Sequence, residues 1–388
     1  MNKQVAKIAK RTGNLDVFIR NLRIDAFRNH GAMELDFSPN INCFHGVNGA
    51  GKTNILDAIY FLGNGRSYFT RSDQNNIPFN LDDARWELDY EQGDTQHRHQ
   101  AQLHREGGKS IWRNGALIKR LSDFIHHLPM VMITPSDIGL ITGSSEERRR
   151  LMDRCISLLD PVYLRSIQDY NKALLRRNEQ LKQFAERRYV DDVLLDTLDQ
   201  QLAQSVSIIS AGRSQFMVDF GADVRNIYSE LSNDAEEVEV GYDTEVDPDR
   251  FVEQLKNQRQ ADLRAQRTTQ GLHRDDLSLE LDGMDARKFA SQGQVKSLTI
   301  AMNLAIYRML NRELQRAPIL LLDDVFEKID DHRSSKLMEL IAGSGYGQIF
   351  ITDTSLERMT DRLQHVKTDK KFFNIERRKP VSQEAIGN

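Results

Sequence analysis

Apolar positions along the chain set the first expectations. In DVFIRNLRIDAF and MELDFSPNINCFHG they recur at every second place or in short runs bounded by turn formers, the pattern of β-strands. The second run ends at Gly46 in a glycine-rich loop, after which TNILDAIYFLG has helical spacing. Polar, strand-like stretches follow around WELDYEQ and HRHQAQLHREGGKSIWRNG, with hairpin turns at Gly107–Gly108 and Asn114–Gly115. From about Ser144 to Ser214 the period becomes helical. Ile167, Tyr170, Leu174, Leu181 and Ala185 keep one stripe, and Leu195, Leu198, Leu202, Val206 and Ile209 another. This predicts a helical hairpin broken near Tyr189–Asp192, too short for a long coiled coil. NDAEEVEVGYDTEVDPD reads as a strand and a solvated loop, a helix spans about Pro248 to Arg267, and DLSLELDG is again strand-like. A long helix from Gln294, the apolar strand ILLLDDVF, another helix and the strand QIFITD complete the pattern. Strand, helix, strand in this order predicts a mostly parallel sheet with helices on its faces.

At 388 residues the chain is long enough for two or three domains. No apolar run approaches the roughly eighteen residues of a membrane-spanning helix, so no membrane partner is expected. The N-terminal MNKQVAKIAKRTGNLD is basic without an apolar segment. It reads as a disordered tail or a DNA-touching arm, not a secretory signal. Cys43 and Cys155 lack metal-ligand spacing and read as buried thiols of a reducing, cytoplasmic compartment. His97, His99, His104, His126 and His127 have no cysteine or carboxylate frame, which favours solvated histidines over a metal site. A net charge of −4 and a pI near 6.2 give no compositional sign of nucleic-acid binding, so such binding needs a local patch. Arg148–Arg149–Arg150, Arg176–Arg177 and Arg187–Arg188 are the candidates, with ordinary helix surface charge the alternative for each.

Chemistry concentrates in a few short strings. GVNGAGKT, Gly46 to Thr53, is a complete Walker A pattern at a strand-to-helix junction. Gly46, Val47, Asn48, Gly49, Ala50 and Gly51 form a loop whose glycines let backbone N–H groups converge on phosphate oxygens. The following helix adds its positive end. Lys52 is placed for the β- and γ-phosphates of ATP, and Thr53 for Mg2+. Asp323 ends the apolar run ILLL, a Walker B arrangement in which the aspartate supports the magnesium ion. Asp324 stands where many ABC-type ATPases carry a glutamate that polarises the attacking water, and its shorter side chain has a different reach. SQGQ, Ser291 to Gln294, precedes the long helix that leads to Asp323. Ser291 resembles an N-cap, and Gly293 lets a phosphate approach the helix end closely.

Alone, SQGQ is a helix cap. In order before Walker B it resembles the ABC signature, with Ser291 and Gln294 as candidate catalytic groups. In ABC ATPases that signature covers the γ-phosphate held by a partner subunit, so the resemblance implies a dimer. Asp330 falls where the D-loop of such proteins crosses the interface. Thr352 and Thr354 fall at the switch, where transporters often carry a histidine and this chain has none. Arg28, in FRN, either reaches the nucleotide or is a surface arginine on a turn.

IDAFRNHGAMELDFSPNINCFHGVNGAGKTNILDAIYFL resembles the N-terminal region of the RecF family almost residue for residue in type. TPSDIGLITGSSEERRRLMD resembles its internal motif, and GLHRDDL its G-P-H-R-D-D string with Leu272 in place of proline. SQGQVKSL and LLDDVFEKID complete the set in family order. The resemblance covers roughly Phe18 to Phe373 and departs at Leu272 and in the N-terminal extension. It implies an α/β fold, a P-loop ABC-type ATPase head of the SMC-like group with an inserted, mainly helical lobe. The expected divisions are an extension over 1–16, an N-terminal ATPase part over 17–140, the lobe over 141–265 and a C-terminal ATPase part over 266–388.

The resemblance further implies weak, DNA-dependent hydrolysis of ATP, slow enough to release DNA and not to drive a motor. It implies an ATP-dependent homodimer that binds double-stranded DNA near single-strand gaps and at single-strand/double-strand junctions. It also implies recombination mediator proteins as partners in loading a recombinase. Three other readings compete. A nuclease-associated repair ATPase is disfavoured by the short helical lobe. A transporter subunit is disfavoured by SQGQ in place of LSGGQ and by the absent histidine. A binding module with a vestigial ATPase is disfavoured by intact Lys52, Thr53 and Asp323.

Overall fold

In the computed structural model the described residues are 17–121, 124, 127–187, 189–327, 329–343 and 345–376. The basic extension over 1–16, His126 and Arg188 lie outside them. Alternation of apolar and polar residues does what the pleat requires in β1 (Val17–Ala26), whose Val17, Ile19, Leu22 and Ile24 are buried. It pairs antiparallel with β2 (Met33–Asp36), and β3 (Ile41–His45) follows in a different sheet. The helix α1 (Lys52–Asn64) comes next, then the hairpin strands β4 (Asp83–Gln92), β5 (Thr95–His104), β6 (Gly108–Arg113) and β7 (Ala116–Leu117). These complete a six-stranded antiparallel sheet in the order β2-β1-β4-β5-β6-β7. At the β6–β7 turn Asn114 has φ 51° and Gly115 φ 81°, the paired left-handed residues of a two-residue hairpin. The chain then enters β8 (Met130–Ile133).

Two compact units divide the chain. One runs to Asp137 and resumes at Asn303; the other spans Ile138–Met302. The second unit contains α2 (Ser145–Leu159), α3 (Pro161–Arg187), α4 (Asp192–Ala203), α5 (Val206–Ser232) and α6 (Phe251–Ala265). Its small sheet has β10 (Asp276–Leu281) flanked by β9 (Val238–Asp243) and β11 (Met284–Asp285). The boundary after the lobe therefore lies later than the expected 265/266. The reason is long-range pairing that no local pattern announces. Arg148 on α2 holds Asp276 of β10 in a two-point ion pair at 2.7 and 2.8 Å. Arg213 on α5 donates to the Leu272 carbonyl and the Asp275 carboxylate at 2.8 and 2.6 Å. GLHRDD is thus knitted into the lobe, with Leu272 fully buried.

The long helix α7 (Gln292–Leu314) carries the chain back to the first unit. There β12 (Ile319–Leu322), α8 (Asp331–Ile341), β13 (Ile349–Asp353), α9 (Leu356–Leu363) and β14 (Lys370–Asn374) follow. The second sheet of this unit is wholly parallel, in the order β14-β3-β13-β12-β8. All four residues of β12 are buried, as a strand covered on both faces requires. One apolar core joins α1, this sheet and the antiparallel sheet. At its centre Trp86 lies 4.7 Å from Phe27 and 4.8 Å from Phe61 between ring centroids. Burying an aromatic side chain of this kind contributes roughly 1.5–3 kcal/mol.

His99 is a core residue, fully buried between α1 and β4, and not the solvated histidine expected. Its Nδ1 donates to the Leu62 carbonyl at 2.8 Å, and its Nε2 accepts from the Tyr90 hydroxyl at 3.1 Å. Burial holds its pKa down to about 3, against 6.5 for an ordinary histidine. The folded state therefore binds fewer protons here than the unfolded chain, and this contribution is complete above pH 6.5 and lost as pH falls toward 3. His99→Phe should cost about 1–3 kcal/mol at neutral pH through the hydrogen bonds it strands. It should also flatten the fall of urea midpoint below pH 6.5, and an unchanged slope would refute this assignment.

Candidate functional site

The loop between β3 and α1 is shaped by its glycines. Gly46 has φ 151° and Gly51 φ 107°, conformations that residues with a Cβ rarely adopt. A Cβ at Gly46 would strike the Ile375 carbonyl, and one at Gly51 would strike the side chains of Asn29 and His30. Asn29 Nδ2 donates to the Ala50 carbonyl at 3.2 Å, and His30 Nε2 lies 2.9 Å from the Gly51 carbonyl. The carbonyls at this end of the loop are held by these two side chains, and within the loop the Ala50 N–H donates to the Val47 carbonyl at 3.2 Å. Val47 and Asn48 complete the curve, with Val47 exposed. Lys52 is 4% exposed, and its ammonium donates to the Gly46 and Val47 carbonyls at 2.8 and 3.3 Å.

Asp323, at the end of β12, meets this loop through hydroxyl groups. Thr53 Oγ1 donates to its Oδ1 at 2.9 Å, and Thr352 Oγ1 donates to the same oxygen at 2.8 Å. The Thr352 hydroxyl in turn accepts from the Asp324 N–H at 2.9 Å. Burial pushes the Asp323 carboxyl up to about 6, against the pull of its bonds from Thr352 and Thr53. Burial raises Asp324 as well, and Asp324 has a left-handed φ of 43°. A hydroxyl and a carboxylate this close are hard oxygen donors of the kind Mg2+ takes beside a nucleotide's phosphates, so the residues fit that ion. Thr352 was legible only as a switch position; its bond to Asp323 crosses between neighbouring strands. Thr354 accepts from Arg358 Nη2 at 2.7 Å.

Arg28 is not a surface arginine on a turn. It has φ 51°, and its guanidinium donates to Asn76, Asn54 and Ser67 at 3.0, 2.9 and 2.9 Å. It also pairs at 2.5 Å with Asp57, which is fully buried on α1. Asn54 on the same helix donates to Asn29 at 2.6 Å, so Arg28, Asn29 and His30 brace α1 and the loop together. Sequence reading did not single out Asn29 and His30, whose only signal is their place in a tight turn before the glycine loop.

The signature string belongs to the second unit. Ser291 N–H donates to Gln294 Oε1 at 2.7 Å and Gln294 N–H to Ser291 Oγ at 3.3 Å, a reciprocal capping box. Gln294 Nε2 also donates to Glu236 at 3.0 Å. A Cβ on Gly293 would meet open space among the described residues. Asp330 caps α8, accepting from the Arg333 N–H at 2.9 Å.

Two arginines offered as DNA contacts are corrected. Arg148 is 4% exposed and occupied by Asp276. Arg177 is fully buried, with Asp199 at 2.8 Å and Asp262 at 2.6 Å. Arg149 is half-buried and donates to the Asp275 carbonyl. Arg150 is exposed and pairs with Glu146, and Arg176 and Arg187 are exposed. Cys43 and Cys155 are both buried thiols, and burial pushes them up to about 12 and about 11. No helix among the described residues is long and apolar enough to cross a membrane.

Known proteins share this architecture. A family model described as RecF/RecN/SMC N terminal domain matches residues 18–374. The chain is 37% identical to a DNA replication and repair protein RecF of Bacteroides thetaiotaomicron, over 93% of this chain and 97% of that protein. A solved structure of the recombination mediator protein RecF with ATPrS, in the RecFOR pathway, superposes with a TM-score of 0.78 at 29% identity. It covers 88% of this chain and 94% of that one. A Smc head domain with an extended coiled coil, bound to the C-terminal domain of ScpA and derived from Pyrococcus furiosus, has a TM-score of 0.58 at 18% identity. That match covers 93% of this chain and 94% of the other, and it speaks to the fold alone. The fold is therefore the ABC-type ATPase head with its helical lobe.

Removing Arg28 would leave the Asp57 carboxylate buried without its cation. Arg28→Ala should destabilise the chain by about 3–5 kcal/mol. Asp57→Asn placed in the same chain should recover part of that loss in urea titration. A double variant no more stable than Arg28→Ala would show that the pair does not carry the effect.

Proposed function

We infer the function from family membership: the chain belongs to the RecF family of DNA replication and repair proteins. It is an ATP-binding protein of DNA replication and repair. Gly46 to Gly51 cradle the phosphates, Lys52 meets the β- and γ-phosphates, and Thr53 with Asp323 holds Mg2+, which neutralises phosphate charge when bound. Asp324 is the general base that orients the attacking water, and its burial-raised pKa favours that task. Arg28 fixes α1, and with it Lys52 and Thr53. ATP closes two copies into a homodimer in which Ser291 and Gly293 of each copy cover the partner's γ-phosphate, with Gln294 beside them and Asp330 at the interface. The open space above Gly293 supports this, because nothing described in this chain requires glycine there.

The dimer binds duplex DNA near single-strand gaps and works with recombination mediators to load a recombinase, in the cytoplasm. Slow, DNA-dependent hydrolysis releases it. On α3 the exposed Arg165, Arg176 and Arg187 recur at an interval of about three helical turns, so they form one line on one face. Guanidinium groups in such a line suit phosphates and carry no base specificity. The observation that carries the ATP-site reading is Thr53 and Thr352 converging on Asp323 beside the glycine loop.

Sedimentation and duplex-DNA titration with and without ATP test it. ATP should promote both dimerisation and DNA binding in the unaltered chain, and neither in Lys52→Ala. Ser291→Arg should keep ATP binding and lose dimerisation. Unchanged association with ATP would leave the fold standing and remove the clamp. Separately, replacing Arg165, Arg176 and Arg187 together by alanine should weaken duplex binding and reduce the slope of log affinity against log salt by roughly 2–3. An unchanged slope would place the DNA elsewhere.

A further inference from the structure

Asp353, which ends β13, has two arginines where one suffices. Its side chain is 6% exposed. Arg362 Nη1 reaches its Oδ2 at 3.2 Å, while the Arg362 guanidinium lies 4.5 Å from the Phe326 ring centroid and is 13% exposed. That arginine is packed in place. Arg358 differs. It touches Asp353 Oδ1 and Thr354 Oγ1 through one nitrogen, Nη2, both at 2.7 Å, and its side chain is 55% exposed. Its Nε and Nη1 find no acceptor among the described residues. An ion pair this open to water stabilises weakly, and Arg362 would keep the buried carboxylate neutralised if Arg358 left.

Arg358 also lines a cavity of about 240 Å³. Asn48 of the glycine loop and Asp324 are in the same wall, together with Glu327, Asp353 and Thr354. Asn48 belongs to the loop that cradles phosphate, and Asp324 follows the metal-supporting carboxylate. The space between them is therefore at the terminal-phosphate end of the nucleotide, not at its base. Three carboxylates face it, and Arg358 is the one cation among its described lining residues. Without that cation the cavity would repel a triphosphate more than a diphosphate. A planar guanidinium with two unused donors matches a terminal phosphoryl group in charge and geometry.

We propose that Arg358 is the γ-phosphate sensor of this site, exchanging Asp353 for the terminal phosphate of ATP. This rests on the ATP-site reading given above. It supplies the contact at a switch position where the chain carries Thr352 and Thr354 and no histidine. Asp353 keeps Arg362, so the exchange leaves no buried charge unpaired. Because Arg358 lies in the first turn of α9, whose cap Ser355 accepts from the Arg358 N–H at 3.2 Å, the exchange tells that helix which nucleotide is bound.

The test is calorimetric titration of the full chain with Mg2+ and either ADP or ATPγS, with Lys52→Ala as the control. The unaltered chain should prefer ATPγS. Arg358→Ala should lower that preference about tenfold, as expected for losing a hydrogen bond to a charged group. ADP affinity should stay within about twofold, as befits an exposed side chain remote from the inner phosphates. Arg358→Lys, which keeps the charge, should restore part of the preference. A full preference for ATPγS in Arg358→Ala would overturn the sensor while leaving the ATP site intact, and so would an equal loss of both nucleotides. Undiminished binding in Lys52→Ala would overturn the ATP-site reading, and the sensor with it.

Discussion

A loop that offers its N–H groups to an anion must point its carbonyls the other way, and those carbonyls need donors of their own. In this chain Lys52 serves the Gly46 and Val47 carbonyls, and the turn that follows β1 serves the next two. Phe27 and His30 close that turn on each other, with N–H to carbonyl distances of 2.9 and 2.8 Å. Asn29 and His30 then hold the Ala50 and Gly51 carbonyls. Their side chains occupy the space a Cβ on Gly51 would need, so the glycine and its braces answer one requirement. Phe27 is anchored against Trp86 in the core, and Arg28 ties the same turn to Asp57 on α1. The glycine loop is thereby tied to the antiparallel sheet. A loop held only by its own flanking strand and helix would have no such support.

The other half of the site depends on strand register. In the parallel sheet Leu322 of β12 pairs with Ile351 of β13, and Asp353 pairs with His45 of β3. Glycine loop, Asp323 and Thr352 therefore emerge together at the carboxyl ends of adjacent strands, the usual place for ligands in open α/β sheets. A slip of one residue in β13 would turn Thr352 to the opposite face and bring Asp353 forward. Its hydroxyl would no longer join Asp323 to the Asp324 N–H. Gln348, buried just before β13, resists that slip, because its amide oxygen accepts from the Ile19 N–H at 2.7 Å and its amide nitrogen donates to the Ile19 and Ser38 carbonyls at 2.8 and 2.7 Å.

These two constraints also explain what could be read from residues alone. GVNGAGKT was legible because its demands are local: glycine where φ is positive, lysine and threonine at a helix start. ILLL followed by Asp323 was legible because a fully apolar strand ending in a carboxylate is unusual by itself. The strands near Trp86 and Asn114–Gly115 were legible too, but not that they form a separate antiparallel sheet. Strand pairing is a long-range choice with weak local signals. For the same reason Asn29, His30 and the bridging hydroxyl of Thr352 escaped notice. Each acts on a partner distant in sequence, and none is chemically conspicuous. The late boundary of the second unit follows the same rule, since Arg148–Asp276 and Arg213–Asp275 join segments far apart along the chain.

Adjacent arginines show how helix geometry overrides composition. Neighbouring residues on a helix point about 100° apart, so a pair such as Arg176–Arg177 cannot present both charges to one partner. Arg177 turns inward, where it pairs with Asp199 and Asp262, and Arg259 shares Asp199. Arg176 turns outward. Buried networks of this kind contribute arginines and aspartates to the count in nearly balanced numbers while projecting little field into solvent. The formal charge of −4 therefore says little about what an approaching phosphate would meet. What matters is the spacing of the outward members. Arg165, Arg176 and Arg187 are separated by intervals close to whole numbers of turns, whereas the doublets that catch the eye in the sequence are not. A sequence-independent contact with duplex DNA needs only such a line of exposed cations, and it tolerates a chain that is acidic overall.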